Sequence, residues 1–382
     1  MLNLFLFTIF FVIISWCISA FSKKNISIRN ISENGILKVN LKIIICISLI
    51  VLIPAIIIGY RNDMTGVDTI SYVNAFSDIY GKQYLLYRAH NSFEWFFWGG
   101  MYLFKVFSTM RVCFIFYAWL TLFLAGIGVY KLSYKVNPFI LNFVFYLLFY
   151  QECFNIMRQM VAISIVLISF SYIFEKKGKT FILIIIFAAL FHSSAIFCLP
   201  MYLMNKKNYN VGMESIKRII FVGVIIFAFP FILNIVVRLP VLSRYIFYAE
   251  GITFDKSFNW LKSILIILPA IVILYIYSRK NKIENELDVK FLLYITFVYV
   301  VLLATRMYTN WMFRIALYYQ LGSIILGALL SKHNVKNKKK WSVPRVEFFL
   351  ILYYFLYYIY LNYYNNYTTS ALVNICFTGK AM

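Results

Sequence analysis

Acidic residues, histidine and long polar segments are what this chain has least of. Fourteen Asp and Glu stand against 37 Lys and Arg, giving a formal charge of +23, and only three residues are histidine. The longest stretches between apolar runs are about thirty residues, too short to hold a separate hydrophilic core. The signatures of nucleotide-driven and hydrolytic chemistry are missing as well: there is no GxxxxGK[ST] phosphate loop, no GxSxG elbow and no DxD-like pair. The energy of any transfer reaction must then reside in the substrate itself. Cys17, Cys46, Cys113, Cys153, Cys198 and Cys376 form no CxxC pair and read as small core residues, without a disulfide or metal framework. No second histidine lies at metal-ligand spacing from His192, so neither a metal nor a cofactor is expected.

What is there is apolar. Of 382 residues, 63% are hydrophobic and 20% aromatic, in runs of span length separated by short basic loops. The expected fold class is all-α: a polytopic integral membrane protein with about 10–12 transmembrane helices, folded as a single domain over 1–382. Lys and Arg sit in the loops and form no basic folded face. The lipid bilayer, with its anionic headgroups, accounts for the charge, and nucleic acid is not an expected partner.

The first run, MLNLFLFTIFFVIISWCISAF, carries no charge before its end; it lacks the positive region of a cleaved signal peptide and is long enough to span. Lys23, Lys24, Arg29, Lys38 and Lys42 follow, which places the next loop in the cytoplasm and the N-terminus outside. Spans are expected over 2–21, 41–59, 111–130, 138–151, 157–174, 217–237, 261–278, 289–305, 310–330 and 346–363. Two stretches have two readings. Residues 93–107 (FEWFFWGGMYLFKVF) are short and carry Glu94 and Lys105; residues 180–204 hold FHSSA and Pro200 and make one long helix or two half-helices. Simple crossings by both would put Lys131, Lys135 and the EKKGK run at 175–179 outside. A re-entrant 93–107 with a hairpin of short helices over 180–204 instead makes the loops at 22–42, 131–135, 176–179, 206–218, 279–290 and 332–345 cytoplasmic. They hold 5, 2, 3, 4, 4 and 6 basic residues, or 24 of 37.

Within that topology the two faces differ. Lys outnumbers Arg 20 to 4 inside; outside, eight Arg (Arg61, Arg88, Arg111, Arg158, Arg238, Arg244, Arg306 and Arg314) stand against five Lys. Guanidinium is a fork of donors suited to phosphate and keeps its charge when partly desolvated. An Arg-rich outer face therefore points to phosphate recognition there. The alternative is that these arginines snorkel to headgroups or pair with Asp63, Asp78, Glu152, Glu250 and Asp255.

The order of features resembles the EpsG family, within the broader group of Wzy-type polysaccharide polymerases. The residues that carry the resemblance are RNDMTGVDTISY, with Arg61, Gly66, Asp68 and Tyr72; FEWFF at 93–97; RQMVAISI at 158–165; FHSSAIFCLPMYL at 191–203; and, more weakly, Arg244-Tyr245 and Arg314. The resemblance implies an enzyme of the bacterial plasma membrane that joins undecaprenyl-pyrophosphate-linked oligosaccharide repeat units on the outer face, with polyprenyl pyrophosphate as leaving group. Its partners would be the lipid-linked oligosaccharide, the bilayer, a chain-length regulator and other polysaccharide-assembly proteins. Such a reaction needs cations on the leaving pyrophosphate, a base for the attacking hydroxyl and an aromatic polar groove for sugar.

Each candidate then has a functional and a structural reading. Arg61 is a pyrophosphate or sugar contact, or a stop anchor for the helix before it. Asp68 is an acceptor-activating base, a ligand for sugar hydroxyls or the N-cap of a surface helix, with Tyr72 one turn on sharing its face. Glu94 is an acid/base group or the partner of an outer Arg. Arg158, with Gln159 beside it, binds pyrophosphate or pairs internally, for example with Glu152. His192 is a base or a satisfied structural histidine. Arg244 and Tyr245, in an outer loop over 238–260, and Arg314 are further phosphate contacts; the outer loop over 60–92 is one wall of the pocket. A ligase that moves the finished glycan to another acceptor fits nearly as well. A lipid-linked oligosaccharide flippase would show internal repeats and midplane charges, and neither is seen.

Overall fold

The structure, a computed structural model, describes residues 2–28, 41–63, 67–77, 81–204, 286–305, 312–336 and 343–364, with positions 268, 269 and 272. No strand occurs among the described residues. The chain divides into two compact units, Met1–Leu199 with Gly327–Met382, and Pro200–Leu326.

The first unit holds α1 (Leu2–Ile28), α2 (Leu41–Ile50), α3 (Leu52–Gly59), α4 (Val67–Ser77), α5 (Gly81–Asn91), α6 (Trp95–Phe107), α7 (Met110–Leu132), α8 (Pro138–Phe149), α9 (Met157–Phe174) and α10 (Gly178–Ala189). Helices α7 and α9 pack along each other at its centre, with α3 against α7 and α10 against α9. Small residues make the approach close. A β-carbon on Gly128 of α7 would lie 2.9 Å from the Leu167 Cγ of α9, the kind of contact that lets apolar helices associate by van der Waals packing. Where the chain turns between helices, short polar side chains cap them: Thr109 Oγ1 accepts from Val112 N at the start of α7, and Asn137 Oδ1 accepts from Phe139 N before Pro138 opens α8. Helix α1 lies against α8, joined by an Asn142 to Ser15 hydrogen bond of 2.9 Å. At the other end of α7, the Lys332 ammonium donates to the Ser133 and Tyr134 carbonyls at 2.6 and 2.7 Å.

The second unit contains α11 (Pro200–Met204), α12 (Glu286–Ala304) and the first part of α13 (Met312–Lys336), which continues into the first unit, where α14 (Val343–Tyr364) packs on α8. Helices long and apolar enough to cross a membrane are Met110–Leu132, Met157–Phe174, Leu287–Ala304 and Met312–Lys332. The expected span over 41–59 is the bent pair α2 and α3, with a 41° break; Pro54 in the first turn of α3 has no N–H to return to Ile50, which is why the helix bends there. Expected spans over 2–21, 138–151 and 346–363 correspond to shorter apolar helices, Phe7–Ser22, Pro138–Phe149 and Phe348–Tyr360. The expected span over 217–237 lies outside the described residues, as does all of 261–278 except positions 268, 269 and 272.

The two stretches with two readings are both short-helical. At 13 residues, α6 is about 20 Å long and falls short of the ~30 Å hydrocarbon layer. The 180–204 stretch is broken after α10: His192 is extended, a 3₁₀ segment covers Ser193–Cys198, and Pro200 opens α11. The polar stretch after Arg61 is folded into α4 and α5.

Candidate functional site

Glu94 lies at the N-terminus of α6, outside the spanning helices, and its side chain does not cap that helix. It turns instead toward two other elements. One carboxylate oxygen, Oε2, accepts from the Arg158 guanidinium at 2.6 Å; the other, Oε1, accepts from His192 Nδ1 at 2.8 Å, the Ser193 backbone N–H at 3.0 Å and the Ser193 hydroxyl at 3.1 Å. Only 6% of Glu94 and 8% of His192 are exposed. The break after α10 is what delivers His192 and Ser193: an unbroken helix would have used the Ser193 N–H internally. Burial by itself would raise the Glu94 carboxyl, but the His192 hydrogen bond, the neighbouring Arg158 and His192, and the Ser193 N–H hold it well below the usual carboxylate range. Glu94 is thus an ionised acceptor.

Arg158, one residue into α9, is held on two sides. Its Nε donates to the Tyr72 hydroxyl at 3.1 Å while Nη1 serves Glu94. Its guanidinium lies over the rings of Tyr72, Phe97 and Trp98, at 5.7, 5.8 and 5.0 Å from their centroids. Burial pushes the Tyr72 phenol up, with Arg158 opposing, so Tyr72 is a neutral phenol in this cluster. Gln159 is buried beside Arg158. The carboxylate that Arg158 reaches is Glu94, on another element; the sequence had offered Glu152, which is nearer along the chain.

Arg61 follows α3 and is fully buried. Its guanidinium sits 4.1 Å over the Phe114 ring, with Nη2 3.8 Å from the Met157 sulfur, Nη1 at 3.5 Å from the Ile58 carbonyl, and Nε without a partner. Burial pushes this guanidinium down to about 10, which leaves it cationic at neutral pH. Arg111 braces the turn, donating to the Arg61 carbonyl at 2.6 Å and pairing with Asp63 at 2.7 Å.

Asp68 lies inside the first turn of α4, which begins at Val67, and so occupies a helical position where the sequence had offered a cap. Its backbone N–H donates to Asn155 Oδ1 at 3.0 Å, and Thr69 Oγ1 donates to the Phe154 carbonyl at 2.7 Å. These two bonds dock the start of α4 on the turn before α9, which carries Tyr72 to Arg158. Gly66, Arg244, Tyr245 and Arg306 lie outside the described residues. Arg314 is in the second unit, whereas the cluster around Glu94 is built within the first.

The structure therefore joins Tyr72, Glu94, Arg158 and His192 from four separate elements. Ser193, Asn155, Trp98 and Arg88 belong to the same neighbourhood; Ser193 and Trp98 lie within or beside the FHSSA and FEWFF motifs, Arg88 stood out only as one of the eight outer arginines, and Asn155 gave no local signal. Chemically, the carboxylate can only accept, so His192 Nδ1 carries the proton in this contact. No three His, Cys, Asp or Glu side chains converge as a metal site among the described residues.

A family model described as EpsG family matches residues 44–374, a range that takes in every residue of this cluster. No curated protein and no solved structure matches the chain.

Proposed function

The chain belongs to the EpsG family, a polysaccharide polymerase-type membrane protein, and we propose that it polymerises polyprenyl-diphosphate-linked oligosaccharide units on the outer face of the bacterial plasma membrane. One observation carries the reading. Glu94 fixes His192 through Nδ1 at 2.8 Å while Arg158 keeps that carboxylate ionised at 2.6 Å, the arrangement of an oriented imidazole base.

In the proposed reaction an acceptor sugar hydroxyl attacks the anomeric carbon of the donor chain. The new glycosidic C–O bond forms as the bond to the lipid diphosphate breaks, and the diphosphate leaves with the electron pair. The hydroxyl proton passes to His192 Nε2. Glu94 then faces an imidazolium, which its negative charge stabilises, much as a buried carboxylate does in other base dyads. Arg158 and Tyr72 are positioning residues in this scheme: they hold Glu94 and the α4 to α9 contact. Arg61 supplies positive charge for the leaving group. Asp68, Arg244, Tyr245 and Arg314 remain proposed substrate contacts, and a chain-length regulator a proposed partner.

The test is direct. Purified protein with lipid-linked repeat units should give a ladder of lengthened products, and His192→Ala should lower the rate by about 100-fold or more. Single transfer to a different acceptor would mean a ligase. Units that stay monomeric while a matched polymerase extends them would overturn the reading.

A further inference from the structure

The proposed chemistry needs a place for the leaving anion, and the cation that Glu94 neutralises is a poor choice. A second arginine stands on the same ring. Arg88, in the last turn of α5, places its guanidinium 4.6 Å from the centre of the Trp98 ring, and Arg158 lies 5.0 Å from that same ring. The indole is fixed by edge contacts from Tyr72, Phe97 and Tyr84 and is 3% exposed. Arg88 Nε and Trp98 Nε1 are both shielded from solvent, and neither has a hydrogen-bond partner. No carboxylate pairs with Arg88 among the described residues, whereas Arg158 has Glu94.

Buried donors almost always find acceptors, because an unmet N–H forfeits its hydration. Here two unmet donors meet at one indole, the ring's own N–H and the Nε of the guanidinium that stands over it, and a second cation lies against the same ring. An acceptor that satisfies both and offsets the charge is an oxyanion, and guanidinium is the donor whose geometry suits phosphate. A neutral sugar hydroxyl would meet the N–H groups but leave the Arg88 charge uncompensated.

We propose that Arg88, Trp98 and Arg158 form a subsite for a phosphate-type oxyanion, which in the polymerase reading is the diphosphate of the lipid-linked donor. The identity of the anion rests on that reading; the existence of the subsite does not. Arg88 binds the anion, Trp98 donates its N–H to it, and Arg158 reinforces the field while remaining tied to Glu94.

The experiment uses the full chain in lipid nanodiscs and measures binding of farnesyl diphosphate, farnesol and inorganic pyrophosphate. Arg88→Gln should weaken farnesyl diphosphate binding about 10- to 100-fold, the effect of losing a charged donor. Trp98→Phe, which keeps the ring and removes the N–H, should weaken it several-fold, with farnesol binding unchanged in both. Inorganic pyrophosphate binding as tightly as farnesyl diphosphate would identify a free anion as the occupant; a marked preference for the lipid would identify the headgroup. Wild-type affinity for both anions in folded Arg88→Gln and Trp98→Phe overturns the subsite, as does equal weakening for farnesol. Loss of anion binding in Arg88→Gln, in a protein that does not extend lipid-linked units, keeps the subsite and removes the polymerase. Normal extension by Arg88→Gln with an unchanged donor KM does the reverse.

Discussion

Glu94→Gln is the most informative single change, because it keeps size and shape while removing one charge from a buried hub. In the wild type the carboxylate accepts from Arg158 Nη1, His192 Nδ1 and both donors of Ser193, at 2.6, 2.8, 3.0 and 3.1 Å. A carboxamide has one accepting oxygen. If that oxygen stays with His192 and Ser193, the NH₂ group faces the Arg158 guanidinium, donor against donor; if it turns to Arg158, the NH₂ meets His192 and Ser193. Breaking a buried pair by removing one partner costs roughly 3–5 kcal/mol, mostly from the charge left without compensation. The melting temperature in detergent should therefore fall by several degrees, and turnover should fall further than stability does, because His192 loses the acceptor that fixes its tautomer. A second variant separates the causes. Glu94→Gln combined with Arg158→Met removes both charges, and replacing a whole buried pair by apolar groups is often near neutral, so stability should largely recover while turnover does not. A melting temperature for Glu94→Gln within about 1 °C of wild type would refute the idea that this carboxylate is the electrostatic anchor of the cluster.

Further outcomes follow from the same geometry. Because the Glu94 carboxyl is lowered in the folded state, its stabilisation is complete above the unfolded carboxylate value, about 4.3, and drains away as pH falls below it; the melting-temperature gap between wild type and Glu94→Gln should therefore close as the pH is taken below that value. Arg61→Met replaces a fully buried guanidinium that has no carboxylate partner among the described residues, so it should leave stability unchanged or raised in melts, and lower turnover if Arg61 serves the leaving group. Gly59→Ala puts a β-carbon 2.8 and 2.9 Å from the backbone N and Cα of Ile115; backbone cannot step aside as a side chain can, and unfolding measurements should show a loss of about 1–3 kcal/mol from forcing α3 off α7.

Long apolar runs with polar ends made much of the fold legible. The expected spans over 111–130, 157–174, 289–305 and 310–330 differ by only a few residues from α7, α9, α12 and the spanning part of α13. The break in 180–204 was foreshadowed by FHSSA and Pro200. Packing partners were not legible, because a sequence ranks neighbours by separation along the chain. Arg158 lies 64 residues from Glu94, and His192 lies 98 residues from it; nothing local could have preferred that carboxylate to Glu152. Tyr72 illustrates the same limit. Its helix reads as a polar surface segment, yet Tyr72 is buried because Asn155 and the Phe154 carbonyl hold the start of α4 on the turn before α9.

Compensation divides the cations of the first unit into two groups, and the division bears on which of them meet substrate. Arg158 carries its own counter-charge and uses two of its three nitrogens to hold Glu94 and Tyr72. Arg61 and Arg88 have no carboxylate partner among the described residues, and each keeps a buried Nε without an acceptor. A fold gains nothing in stability from a guanidinium as fully buried as Arg61 without a counter-charge, and the half-buried Arg88 bears a smaller cost of the same kind through its shielded Nε, unless something of opposite charge arrives. Residues kept at such a cost are the ones expected to meet a ligand, whereas a paired residue such as Arg158 is held by its partners whether ligand is present or not. The leaving diphosphate would thus be met at the Trp98 ring by Arg88, with Arg158 adding to the field from its closed pair with Glu94, which aims His192. That assignment makes opposite forecasts for two conservative changes. Arg88→Lys keeps the charge and loses the fork, so it should chiefly raise the KM for lipid-linked donor; Arg158→Lys keeps the charge but cannot bridge Glu94 and Tyr72 together, so it should chiefly lower kcat. The reverse pattern would place the anion on Arg158.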